Sequence, residues 1–269
     1  MKRLLPYPAR VNLRRCARWL ADLPVRWRLT RARAADPELF PHCISRHSSK
    51  LLRRVKPEWA ALQQNKVANL RLACARMNRL VVAPGQLFSF CAVTGPTGGS
   101  RGYLPGLEMH QGRLRSMPGG GLCQLSNLIF WLALNAGLEI VERHRHEQDL
   151  FPDDERTVPF GMGATVFYNY LDLRFRNTLG QPLLIRVAVD EPDLCGAFYA
   201  AEATGRTVEI VESAHRFFRD EAGRIWRENR VAVNVTYPGG TPPARSTVYE
   251  NKGLVRYDVP ESSIEGSPA

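Results

Sequence analysis

The segment PGGGLCQLSNLIFWLALNAG, residues 118–137, constrains the fold more than any other stretch of the chain. Its apolar positions Leu122, Leu125, Ile129, Leu132 and Ala136 recur at spacings of 3, 4, 3 and 4, which is one face of an α-helix. Gly137 supplies the C-terminal stop, and three glycines free the backbone just before the helix begins. The longest apolar run, from Leu128 to Val141, is broken by Asn135 and Glu139 and is shorter than the ~20 residues that cross a bilayer. The helix is therefore expected in the core of a soluble domain.

Charge is distributed unevenly along the chain. Residues 1–56 carry 15 Lys and Arg against 3 Asp and Glu, whereas residues 57–269 carry 22 against 23, so the formal net charge of +11 is an N-terminal property. A nucleic-acid partner is not expected, because the body has no net positive charge and no recognised motif. Within the basic segment, Leu13, Ala17 and Leu20 can share a helical face while Arg14, Arg15 and Arg18 point elsewhere. With Trp19 and Trp27, such a stretch can lie on an anionic membrane, making residues 10–33 a peripheral membrane contact. The plainer alternative is a solvated arm that packs a few aromatics on the domain. Pro6, Pro8 and Arg10 interrupt the apolar run that a secretory signal needs, so the expected location is the cytoplasm, with the inner face of the membrane as the peripheral site.

Six cysteines lie far apart without a C-x-x-C pair, which favours free thiols in a reducing compartment. His42, Cys43 and His47 in HCISRH could offer three zinc ligands, but structural zinc takes four and no second cluster completes the set. No metal and no cofactor is expected.

The remaining patterns give an α+β protein. A basic N-terminal arm with helical character spans 1–56, and the core domain spans 57–200. Its central helix–strand unit carries the glycine triplet. A β-hairpin extension packed on the core spans 201–261, and a disordered tail covers 262–269. Pro57 opens a helix with apolar Leu62, Leu70, Ala73, Met77 and Leu80 and a polar interruption at Lys66. QLFSFCAV reads as a short strand, LEMHQGRL as a strand and turn, and EQDLFPDDERTVP as a loop. LEIVERHRH and ATVFYNYLDLRFRN read as strands, and successive strands fill the C-terminal half, antiparallel with hairpin-length connections.

Chemistry is sought first at Cys123. The unpaired amides and the macrodipole at a helix start favour an anion, which lowers a thiol's pKa, and amides of Gly119, Gly120 and Gly121 could hold an oxyanion. His144 and His146 follow on the returning strand, where period-two geometry puts both imidazoles on one face. Asp172, Glu142 or Asp149 could orient the histidine. Gln124 could donate to substrate or tie the glycine loop, and Ser126 could cap a first-turn amide or touch a ligand. Arg143 and Arg101, with His110, could line an anion-binding cleft. Against all of this stands a bland alternative, a small buried cysteine after a tight connection.

The blocks NKVANLRLACARMNRLVVAPGQLFSF, GGGLCQLSNLIFWLALNAGLEIVERHRH and ATVFYNYLDLRFRN resemble, in order and spacing, the signature blocks of the VanW family, named for an accessory protein of VanB-type glycopeptide-resistance clusters. The resemblance covers roughly residues 40–200. It implies a role in glycopeptide resistance or cell-envelope metabolism and brings no defined reaction with it. Carried over by position, it points to Gly119, Gly120, Gly121, Cys123, Gln124, Ser126, Glu142, Arg143, His146, Asp172 and Asn177. His144 matches some members only, so His146 is the preferred partner of Cys123. Two positions depart from the pattern: Gly163 stands where many members carry Asp in G-x-D-A-T-V, and Gln86 replaces a Glu in PGExFSF.

Two functional readings follow. In one, Cys123, His146 and Asp172 form a thiol-dependent acyl-transfer or hydrolase site, with Gly119, Gly120, Gly121, Gln124, Ser126, Arg143 and His144 binding a small molecule or peptide related to the cell wall. In the other, the same glycine turn is a non-catalytic module that grips an anionic precursor.

Overall fold

A computed structural model describes residues 6–31, 36–52, 57–110, 113–149, 152, 157–239 and 245–265. In chain order its helices are α1 (Tyr7–Asp22), α2 (Ala60–Met77), α3 (Phe90–Thr94) and α4 (Cys123–Asn135). The strands are β1 (His42–Lys50), β2 (Leu80–Val82), β3 (Leu87–Ser89), β4 (Pro105–His110), β5 (Arg113–Pro118), β6 (Glu139–Glu142), β7 (Gln148–Asp149), β8 (Arg174–Arg176), β9 (Leu183–Asp190), β10 (Asp193–Ala200), β11 (Thr207–Arg219), β12 (Ile225–Thr236), β13 (Arg245–Val255) and β14 (Ile264–Glu265). The fold is α+β with a β-rich C-terminal half. The chain divides into two compact units. One comprises Met1–Ala133, Leu138–His144 and Ala164–Thr204; the other comprises Leu134–Gly137, Arg145–Gly163 and Gly205–Ala269.

The first unit holds three antiparallel sheets, ordered β1-β10-β9-β2, β3-β8-β6 and β4-β5. Helix α4 lies on β10, where a side chain at Gly196 would press on Leu128 and Leu132. Leu125, Ile129 and Leu132 are fully buried, as their spacing demands. Phe175 on β8 stacks on Phe88 (4.7 Å between centroids) and tilts against Phe198 (5.7 Å), tying the two larger sheets together. Helix α2 buries Val67, Leu70, Ala73, Cys74 and Met77.

Several local expectations change. The basic segment supplies α1 and the edge strand β1, both within the first unit. QLFSFCAV is a strand only to Ser89, whose hydroxyl accepts the Ala92 N–H (3.0 Å) and so caps α3. LEIVERHRH is a strand only to Glu142, and residues 143–146 have no regular structure. In ATVFYNYLDLRFRN, a turn from Phe167 to Leu171 interrupts the pattern and leaves β8 as the strand. Lys66 is no solvated interruption of α2, because its ammonium donates to Leu51 O and its stem is buried.

The second unit contains one sheet, β14-β11-β12-β13-β7. Its three long strands form an antiparallel meander, and the short edges pair in parallel. Part of the expected loop at 147–159 is therefore strand β7, and Ile264–Glu265 of the expected tail is strand β14, while 266–269 lie outside the described residues. In the interior, Arg227 reaches Asp149 (3.2 Å) between the rings of Phe160 and Phe217, and Tyr257 donates to the same carboxylate (2.8 Å).

Candidate functional site

The β4–β5 hairpin delivers the chain to Pro118, and the next turn closes through Gly119 N–H to Leu104 O (3.1 Å) and Gly120 N–H to Met117 O (2.9 Å). Gly120 lies flat against Gly106, so a Cβ on either would collide with the other's backbone. Gly121 stands at φ +93°, and the Lys66 stem fills the space its side chain would need. Asn69 on α2 seals the turn: its Nδ2 donates to Leu104 O (2.9 Å) and Gly120 O (3.0 Å), while its Oδ1 accepts from Leu104 N–H (2.8 Å). The amides of Gly119 and Gly120 are thus committed to carbonyls of the chain itself. A turn this tight uses those two amides to close.

Cys123 opens α4 and is partly exposed. The backbone amides of Val166 and of Cys123 itself favour the thiolate. Burial nonetheless pushes the thiol up, and the Glu108 carboxylate adds to the rise. The lowering expected at a helix start is reversed, because desolvation of a thiolate here outweighs what the two amides return.

Around the thiol, residues 164–166 form a strap over the first turn of α4. Ser126 is fully buried, its hydroxyl 2.6 Å from Ala164 O and 3.1 Å from Cys123 O, and Asn127 Oδ1 accepts the Ala164 N–H (2.7 Å). Thr165 N–H donates to His144 O (2.8 Å), so the strap touches both Cys123 and His144. Gln124 Nε2 donates to Ser49 Oγ (3.0 Å) and Lys50 O (2.8 Å), pinning α4 to the end of β1. The Arg143 guanidinium lies 4.7 Å above the Phe130 ring, a cation–π contact. Arg101 is exposed in a short 3-10 turn, and the side chain of His110 lies outside the described residues.

The two histidines part company. His146 belongs to the second unit and Cys123 to the first. Burial lowers the His146 imidazole below its ordinary value, which keeps it neutral near pH 7. His144 stays in the first unit, with Nε2 2.9 Å from Glu142 Oε1. Since the strand ends at Glu142, the period-two argument that aligned the pair does not apply.

Asp172 is 1% exposed and already engaged. Its Oδ2 accepts from Ser89 Oγ (2.5 Å) and Arg174 Nε (2.8 Å), and its Oδ1 accepts from Cys91 N–H (2.9 Å). Arg174 also grips Asp22 with both terminal nitrogens (2.9 and 2.6 Å), and Arg18 bonds both oxygens of Glu142 as well as Asp22 (3.1 Å). Burial alone would raise Glu142, but His144, Arg18 and Arg174 hold it down to about 2. Burial likewise opposes the charge on Arg174, yet Asp22 and Asp172 hold it above its ordinary value. Sequence reasoning missed Arg18, Asp22 and Arg174 as members of this network, and the backbone of Val166 as a thiol partner. Arg174 sits inside a block the resemblance quoted; nothing local marks Arg18 or Val166. Among the described residues, no group of His, Cys, Asp and Glu is arranged to hold a metal ion.

These features define a class: antiparallel α+β proteins built around a close-fitting glycine turn that presents a cysteine at a strapped helix start. The chain belongs to the VanW family, whose model, described as VanW like protein, matches residues 65–199. It is 32% identical over 201 residues to the vancomycin B-type resistance protein VanW of Enterococcus faecalis, covering 74% of this chain and 73% of that protein. It is also 32% identical over 151 residues to the uncharacterized protein YoaR of Bacillus subtilis, covering 56% of this chain and 47% of that one. No solved structure matches the chain. No helix among the described residues is long and apolar enough to cross a membrane.

Proposed function

We propose that the chain serves vancomycin resistance, as its Enterococcus relative's name suggests, or cell-envelope metabolism, that it works from the cytoplasmic side, and that the start of α4 is a thiol-dependent acyl-transfer or hydrolase site for a peptide or small molecule related to the cell wall. The observation that carries this reading is the place of a partly exposed Cys123 at the start of α4, under the strap of residues 164–166. In such a scheme Cys123 gives its proton to a base and attacks an acyl carbon, the leaving group departs with that proton as the thioester forms, and water or an acceptor nucleophile then cleaves the thioester and returns the thiol. His144 and His146 are the candidate bases, and separate His144→Ala and His146→Ala variants assign the role by which one lowers the rate.

A non-catalytic module that holds an anionic cell-wall precursor is the second reading, favoured by the upward push on the Cys123 thiol. Cys123→Ser and Cys123→Ala separate the two in a host whose glycopeptide susceptibility depends on the chain. A thiol enzyme loses the phenotype in both variants, whereas a binding module keeps it. Peptide-resolved alkylation against pH adds an independent measurement. Faster reaction of Cys123 near neutral pH than of the exposed Cys16 and Cys43 supports the thiol enzyme, and slower reaction, the direction in which burial pushes the thiol, supports the binding module.

A further inference from the structure

Helix α1 and the 3-10 turn after it, Leu23–Arg28, carry two opposed stripes. Val11, Arg15, Arg18, Asp22, Val25 and Leu29, spaced 4, 3, 4, 3 and 4, face the first unit. Arg15 donates to Tyr168 O (2.9 Å), while Arg18 and Asp22 enter the network of Glu142, Asp172 and Arg174. Leu13, Cys16, Leu20, Leu23 and Trp27, spaced 3, 4, 3 and 4, face away from it. Leu13 and Leu20 are each 57% exposed and Trp27 is 73% exposed. The helix thus turns Arg15, Arg18 and Asp22 toward partners in the fold and leaves Leu13, Leu20 and Leu23 exposed, the reverse of a helix that ends at water.

We infer that this outward stripe docks the protein on an anionic lipid bilayer, with the leucines and Trp27 at the acyl boundary and the flanking arginines among the phosphates. Charge selects this occupant. Residues 6–31 contain seven arginines and one acid, Asp22, which is turned inward onto Arg174. Arg10 and Arg14 flank the stripe on one side, with Trp19 and Arg26 on the other; Arg26 lies over the Trp19 ring (5.8 Å) and Arg28 over Trp27 (4.6 Å). Arg26, Trp27, Leu29 and Arg31 line an open concavity of about 420 Å³, whose two arginines suit a phosphate headgroup. A second copy of this chain would bring its own arginines to the same face and be repelled. An acyl boundary accepts the leucines and a phosphate layer accepts the arginines, which is how an amphipathic helix lies in the plane of a membrane. This inference does not depend on any chemistry at Cys123.

Flotation of the full chain with vesicles tests it. The chain is expected to float with mixed phosphatidylglycerol–phosphatidylcholine vesicles, to stay behind with pure phosphatidylcholine, and to be released from the mixed vesicles by added salt. Leu13→Glu with Leu20→Glu should cut the bound fraction about tenfold or more while leaving the urea unfolding midpoint in place. Arg26→Gln with Arg28→Gln and Arg31→Gln, all at exposed positions, should weaken binding about fivefold for each charge removed and serves independently of the leucine variant. Failure of the parent chain to float, or equal flotation of both variants, would overturn the inference. So would a concentration-dependent dimer that the leucine variant dissolves, since the face would then belong to a second copy.

Discussion

Helices α1 and α4 use the same 3-and-4 spacing to opposite ends. Along α4, Leu125, Ile129 and Leu132 are fully buried, and each such side chain contributes roughly 1.5–3 kcal/mol by leaving water. Along α1, the inward positions Arg15, Arg18 and Asp22 are half-buried, while Leu13, Leu20 and Leu23 stand in solvent. Coulomb attraction between half-buried partners is largely offset by desolvation, so α1 gains little from bulk burial and depends on each partner being in place. Periodicity states which residues share a face. Which face turns inward is decided by the groups waiting there, and the carboxylates and guanidinium of Glu142, Asp172 and Arg174 wait for α1.

The contrast can be broken or sharpened in four ways. Arg174→Ala should have the largest effect, about 3–5 kcal/mol in urea unfolding, because Asp22 and Asp172 lose their shared partner in a site that is mostly buried. The same variant should speed hydrogen exchange along residues 7–22 ahead of α4; equal protection of both helices would remove the distinction drawn between them. Ile129→Ala should cost about 2–5 kcal/mol, and the loss should fall on the cooperative unfolding of the whole first unit rather than on α1 alone.

Acid provides a third test. Glu142 is held at about 2 against an ordinary 4.5, so its contribution is complete above 4.5 and is lost as pH falls toward 2. At roughly 1.4 kcal/mol per pKa unit the ceiling is about 3 kcal/mol. Thermal unfolding of the parent chain should therefore lose stability across that window, and Glu142→Gln should flatten the dependence. The smallest effect is expected from Leu20→Glu, which should shift the urea midpoint by no more than about 0.5 kcal/mol because the side chain is already in water. A large loss there would mean that the outward stripe of α1 is packed against something in solution.

Much of the first unit could be read in advance where a single chemistry dominates. The apolar spacing of α4 named its buried face, and the GGGLCQLSN block marked the turn and the family. Reading stopped where one residue type serves two ends. Ser126 and Gln124 look like ligand-binding side chains in a list of residues, yet Ala164 and the end of β1 occupy them. Asp172 looks like a free acid, yet Arg174, two residues on, and Ser89, far back in the chain, share its oxygens. Lys66 looks like an error in an apolar stripe, yet its stem is the reason Gly121 must be glycine.

By itself the sequence determined the family, the helix of Cys123–Asn135, the α+β class and the concentration of positive charge ahead of residue 57. Those rest on local spacing and composition, which need no knowledge of what lies across the fold. The tertiary structure alone decided that the Gly119 and Gly120 amides close the turn, that the Cys123 thiol is pushed up rather than down, and that Arg15 and Arg18 of α1 turn inward. Each of those depends on which dipoles and charges come within a few ångströms, and desolvation and pairing act only at that range.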